Sequence, residues 1–78
     1  MINRASVKWR CRRGMRELDL LFEQFLMQDL DTLDEQHLCA LEELLAQPDQ
    51  DILAWLSNSR TAPSSLEGIV ARIRAAQG

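Results

Sequence analysis

The sequence predicts an all-α fold, a compact five-helix bundle, on three observations: four segments space apolar residues at helical intervals, two of them open with capping-box patterns, and no two segments alternate as partnered strands do. Residues 3–13 are the least regular. Ala5, Val7, Trp9 and Cys11 alternate with period two, as a strand would, but no second strand is on hand to pair its amides. A short helix with Gly14 near its end as C-cap is therefore expected.

The second helix is expected over about 15–28, with Leu18, Leu21, Phe22 and Phe25 inward and Glu17 and Asp19 in the first turn, where the helix dipole favours acids. The third runs over about 33–46, with Leu38, Leu41, Leu44 and Leu45 inward. It opens on Thr32-Leu33-Asp34-Glu35, a capping box, and Pro48 forces its end. A short fourth helix, about 49–57, has Asp49 as expected N-cap and Ile52, Trp55 and Leu56 inward. Ser57-Asn58-Ser59 and Pro63 mark the loop beyond it. The fifth starts at the capping box Ser64-Ser65-Leu66-Glu67, presents Leu66, Ile69, Val70 and Ile73, and runs to about residue 76.

At 78 residues the chain is expected to form a single domain over 1–78, and a domain so small buries only about 60% of the surface its unfolded chain exposes. With 46% apolar and 27% charged residues it has the composition to fold. No apolar run approaches the ~18 residues a membrane span needs, so membrane insertion is not expected. No apolar stretch follows the basic start as in a secretory signal, and an Arg-rich presequence would run straight into the segment considered below. The chain reads as a complete cytoplasmic protein.

Cys11 and Cys39 fit no CxxC zinc or redox spacing, and both are expected as buried, reduced thiols. His37, a lone histidine among acids, is expected at the surface with no metal or catalytic role, and the acid pairs Asp34/Glu35 and Glu42/Glu43 as a solvated face. No catalytic residue and no metal site is expected. Trp55 shares a face with Ile52 and Leu56 and belongs in the core, while Trp9, in a basic segment without a clear apolar stripe, is a candidate for partial exposure.

Charge is segregated. Residues 1–16 carry Arg4, Lys8, Arg10, Arg12, Arg13 and Arg16 with no acid; residues 17–59 carry eleven acids and no Lys or Arg; the net is -3. A basic handle is set on an acidic body. Where the two meet lies Cys11-Arg12-Arg13-Gly14-Met15-Arg16-Glu17-Leu18-Asp19. A Gly between helices admits positive φ and close approach of another surface, and Arg groups around it can clamp carboxylates bidentately. The residues alone leave two readings open: a protein-docking junction, or a helix end with a solvent-exposed Arg13–Glu17 pair at i,i+4 spacing.

The string CRRGMRELD, with Trp9 ahead of it, resembles the Arg-Gly-x-x-Glu signature of the succinate dehydrogenase assembly factors, the small bacterial flavinylation factors of the SdhE type. The likeness extends through Leu44-Leu45 to the Pro48–Leu56 stretch, which is similar to that family's acidic element ending in Trp-Leu, although the C-terminus lacks the basic tail of some members. The resemblance implies a five-helix bundle that is not an enzyme. It maps Arg13, Gly14 and Glu17 onto the residues that engage the flavoprotein subunit, flanked by Trp9, Arg12, Met15, Arg16 and Asp19. It also implies chaperone-like action: the factor holds the flavoprotein while the flavoprotein's own histidine attacks the 8α-methyl of FAD. No cofactor would then be bound stably by this chain, FAD being handled on the partner. The expected partner is the flavoprotein subunit of succinate dehydrogenase, with that of fumarate reductase as a second candidate. The rival class is an antitoxin-like or nucleic-acid-binding module that uses the basic N-terminus, against which the acidic body would repel a duplex. No nucleic-acid partner is expected.

Overall fold

The structure is a computed structural model that describes residues 4–77; Asn3, the first residue of the expected first helix, and the extreme ends of the expected domain lie outside them. Five α-helices follow one another, α1 (Arg4–Arg10), α2 (Arg16–Asp29), α3 (Glu35–Leu45), α4 (Asp49–Leu56) and α5 (Ser64–Ala75), with a 3-10 turn at Leu30–Thr32. Among the described residues there is no strand. The all-α bundle expected from the apolar spacing is the fold observed.

Helix α1 settles the ambiguous period. Val7 and Cys11, four apart, both turn into the core, and Ala5 and Trp9, also four apart, both turn out. An alternation of apolar residues is thus two opposite faces of one helix. Gly14 is not its C-cap: α1 ends at Arg10, and Gly14, at φ +82°, makes the bend just ahead of Met15, the N-cap of α2.

The core is one cluster to which every helix contributes. Leu18, Phe22 and Phe25 of α2 are fully enclosed among Leu38, Leu41 and Leu44 of α3, Ile52 of α4 and Ile69 and Ile73 of α5. Each side chain of this size contributes roughly 1.5–3 kcal/mol by leaving water. Among the described residues no polar side chain is buried in the core. Trp55 is in the core, as expected, whereas Leu21 is only half-buried. Cys11 is buried but Cys39 is exposed, because it lies about 100° round the helix from Leu38, on the side away from Leu41, Leu44 and Leu45.

The helix ends depart from the expected caps. Thr32 does not cap α3: it lies in the 3-10 turn, where its hydroxyl donates to the Asp29 carbonyl at 2.9 Å. Asp34 is the N-cap instead, its Oδ1 accepting from the His37 amide at 2.8 Å and lying 2.7 Å from the half-buried His37 ring. At α4 the N-cap is Pro48, which leaves the Asp49 carboxylate free for another partner, and at α5 it is Pro63, so the Ser64 hydroxyl caps nothing. Asn58, at φ 64°, stops α4. The Ser59 amide reaches back to the Ala54 carbonyl at 2.8 Å and the Asn58 amide to Trp55 at 3.2 Å, the bond pattern of a Schellman end. No helix among the described residues is long and apolar enough to cross a membrane.

Candidate functional site: the junction of the first two helices

The basic handle divides into two groups. Arg4, although exposed, bonds back to the chain, donating from Nε to the Leu30 carbonyl at 3.2 Å and from Nη2 to the Leu33 carbonyl at 2.6 Å, just beyond the end of α2. Arg10 reaches Glu42 of α3 at 3.8 Å. Arg13 is the most heavily engaged. Its Nε donates to Asp49 Oδ1 at 2.7 Å, its Nη1 to the carbonyls of Leu45 at 2.8 Å and Arg10 at 3.3 Å, and its Nη2 to that of Gln47 at 3.2 Å. Only 17% of its side chain is exposed.

This placement follows from what α3 lacks. Its last turn contains no basic residue, so its unpaired carbonyls and the negative end of its dipole are complemented by a cation from 32 residues away. The expected alternative, an exposed Arg13–Glu17 pair, is not formed. One turn further, Asp19 reaches back from α2 and accepts from the Arg13 amide at 2.7 Å, so Arg13 is held through both backbone and side chain.

The second group faces outward. The side chains of Lys8, Arg12 and Arg16 are exposed, and among the described residues they make no hydrogen bond or ion pair; the same holds for Glu17. Gly14 is exposed, and a Cβ built on it would meet no atom within 4 Å. Its positive φ, not crowding, is what requires glycine here. Trp9 is 74% exposed on the last turn of α1. Of the eight residues singled out in sequence, the structure therefore turns Trp9, Arg12, Gly14, Arg16 and Glu17 outward around one bend. Arg13 and Asp19 brace that bend from beneath, and Met15 packs half-buried on the core.

Beside the bend, α1 and α2 enclose an open groove of about 460 Å³, with Phe22, Leu26, Leu30 and Cys11 along its floor and Lys8, Arg12, Asp19, Glu23 and Met27 at its rim. Sequence reading missed this groove, and it missed Asp49. A signal for the exposed face was present in α2: Leu20 and Met27 are seven apart, out of phase with the buried stripe, and both are exposed.

The chemistry available here is that of binding. Burial pushes the Cys11 thiol up to about 12 against the smaller opposing pull of Arg13 and Arg10, which leaves it protonated and unreactive at neutral pH. Among the described residues no group of three or more His, Cys, Asp or Glu side chains is placed to hold a metal ion.

Comparison with known proteins identifies the family. The family model described as the flavinator of succinate dehydrogenase matches residues 5–77. A protein of Legionella pneumophila (strain Paris) named FAD assembly factor SdhE is 39% identical over 71 residues, covering 91% of this chain and 90% of its own length. The namesake of Haemophilus ducreyi is 33% identical over 75 residues, 95% and 92% of the two chains, and that of Pectobacterium atrosepticum 43% identical over 56 residues, 72% and 64%. These relatives are assembly factors, not enzymes. With the match running through all five helices, the chain belongs to the family of succinate dehydrogenase flavinators.

Proposed function

We propose that the chain is an FAD assembly factor that docks on the flavoprotein subunit of succinate dehydrogenase through the α1–α2 bend and promotes covalent attachment of FAD there. The observation that carries this reading is the bend itself. Arg12, Arg16 and Glu17 stand unpaired around an exposed Gly14, and the Arg13 backbone just ahead of it is held by Asp19. Unpaired Arg side chains supply forked donors for a partner's carboxylates or carbonyls, and Glu17 supplies an acceptor. Gly14 lets a partner's surface approach the backbone. Trp9 adds a rigid aromatic contact of the kind that dominates interface energies.

The bond-making histidine belongs to the partner in this reading, and FAD stays on the partner. The site of action is the cytoplasm. The flavoprotein subunit of fumarate reductase is a second client. The nucleic-acid reading loses support because Arg4, Arg10 and Arg13 are spent on the chain's own carbonyls and acids.

The test is co-expression with each flavoprotein subunit, followed by flavin fluorescence of the denatured subunit. Gly14→Arg and Glu17→Arg should lower that fluorescence to the level seen without the factor while leaving helical circular dichroism intact. Gly14→Arg would also lower stability by roughly 1–2 kcal/mol through backbone strain. Fluorescence unchanged by complete removal of the factor would sink the proposal.

A further inference from the structure

We infer that Asp49, the first residue of α4, is a positioning residue for the docking bend, acting through Arg13 across 36 residues of chain. The inference rests on the docking reading above and deepens it.

The geometry gives Asp49 a task that its place in α4 does not require. Pro48 occupies the N-cap position of that helix, so Asp49 is not its cap, and its Oδ1 accepts from Arg13 Nε at 2.7 Å. A guanidinium is planar, so a charge-assisted bond at Nε fixes the plane, and the plane fixes where the Nη groups point. In this orientation Nη1 and Nη2 meet the carbonyls of Leu45, Gln47 and Arg10. Four of the five N–H donors are thereby used, leaving one on Nη2 for anything else. Arg13 is consequently a bracket of the bend, and Asp49 is the bolt.

What the bracket holds is the backbone that docks. The Arg13 amide is bonded to Asp19, and the next residue, Gly14, has the conformational freedom to leave φ +82° once its neighbour is loose. With Asp49 removed, the Nε bond is lost, the carbonyl bonds compete singly with water, and the bend samples other conformations. Docking must then order it again, so affinity falls although no contact with the partner has been deleted.

The experiment combines binding and amide exchange on the full chain. Asp49→Ala, Arg13→Ala and the double variant are titrated against the purified flavoprotein subunit, with Asp49→Asn as the conservative variant. Asp49→Ala should bind about tenfold more weakly, a loss of about 1.4 kcal/mol. Asp49→Asn, which keeps the acceptor oxygen, should lose less, and the double variant should be no weaker than Arg13→Ala alone. Hydrogen exchange of the Arg12 and Arg13 amides, which bond to the Trp9 carbonyl and to Asp19, should quicken in Asp49→Ala while that of α5 holds, a change that a helix-capping role in α4 would not produce. Parental affinity in a folded Asp49→Ala overturns the inference, and so do losses that add in the double variant, which would mean direct contact with the partner. If Asp49→Ala does not fold, unchanged exchange of the Arg12 and Arg13 amides in folded Asp49→Asn overturns it. Glu17→Arg serves as reference: parental binding there defeats the docking reading, while the exchange data still judge the Asp49–Arg13 coupling.

Discussion

Arg12 and Arg13 are adjacent, identical and opposite in use. Arg13 is enclosed at the meeting point of α1, α3 and α4, where it bonds to one carboxylate and three carbonyls. Arg12 stands at the rim of the open groove with its side chain unpaired. The same contrast divides the whole basic handle: Arg4, Arg10 and Arg13 are directed inward in the sense that they pair with the chain's own carbonyls and acids, and Lys8, Arg12 and Arg16 are unpaired and outward. A run of like charge therefore contains two populations: one holds the bundle, and the other is available to a partner.

The largest effect expected from this contrast is on stability. Arg13→Ala removes a charge-assisted bond to Asp49 and returns the Leu45 and Gln47 carbonyls to solvent at the end of α3. A loss of about 2 kcal/mol is expected, which for a domain of this size lowers the melting temperature by roughly 10 °C. Arg12→Ala should stay within about 0.5 kcal/mol of the parent. Thermal melts of the two variants, followed by circular dichroism, decide the matter; equal melting would erase the distinction.

That distinction is what the sequence concealed. Helical spacing revealed the inward faces of α2 to α5 because each depends on residues three and four apart, and it located the bend because Gly14 and the charge boundary are local features. The Arg13 bracket depends on a partner 36 residues away, and nothing near Arg13 announces it. The caps failed for a different reason. Thr32 and Ser64 stand in valid capping-box strings, but the 3-10 turn after α2 moves the start of α3 to Asp34, and Pro63 takes the capping position at α5. Exposure of Cys39 was local and readable, since it follows Leu38 and lies off the stripe that Leu38, Leu41 and Leu45 define.

An intermediate effect is expected at Trp9, the outward residue with the most apolar surface. Because it is 74% exposed, Trp9→Ala should leave the melting temperature nearly unchanged. Binding to the flavoprotein subunit should weaken by about tenfold or more, as is usual for an aromatic anchor at an interface centre. The outward cations Lys8, Arg12 and Arg16 add an attraction that weakens as salt screens it, whereas the contribution of Trp9 should persist. Titrations of parent and Trp9→Ala at low and high salt separate the two. A variant that melts early but binds as the parent does would reverse the assignment and move Trp9 to the inward group.

The smallest effect is expected where an acid makes only local bonds. Asp34 is exposed, and its carboxyl is held below its ordinary value of 3.8 chiefly by the His37 amide, with the His37 ring adding to the same effect. A carboxyl whose folded pKa is depressed stabilises the fold above its unfolded pKa, and that stabilisation disappears as pH falls through the folded value. The cap of α3 should therefore be at full strength at neutral pH and fade only below about 3.8. Asp34→Asn keeps an oxygen for the amide but no charge, so its melting temperature should lie slightly below the parent's at pH 7 and meet it under acid conditions. Asp49→Asn should show a larger gap at pH 7, because its carboxylate is two-thirds covered and ties together helices far apart in sequence. If the Asp34 gap proved the larger, the weight of stability would lie in local caps, and the division of charged residues into inward and outward groups would no longer predict their importance.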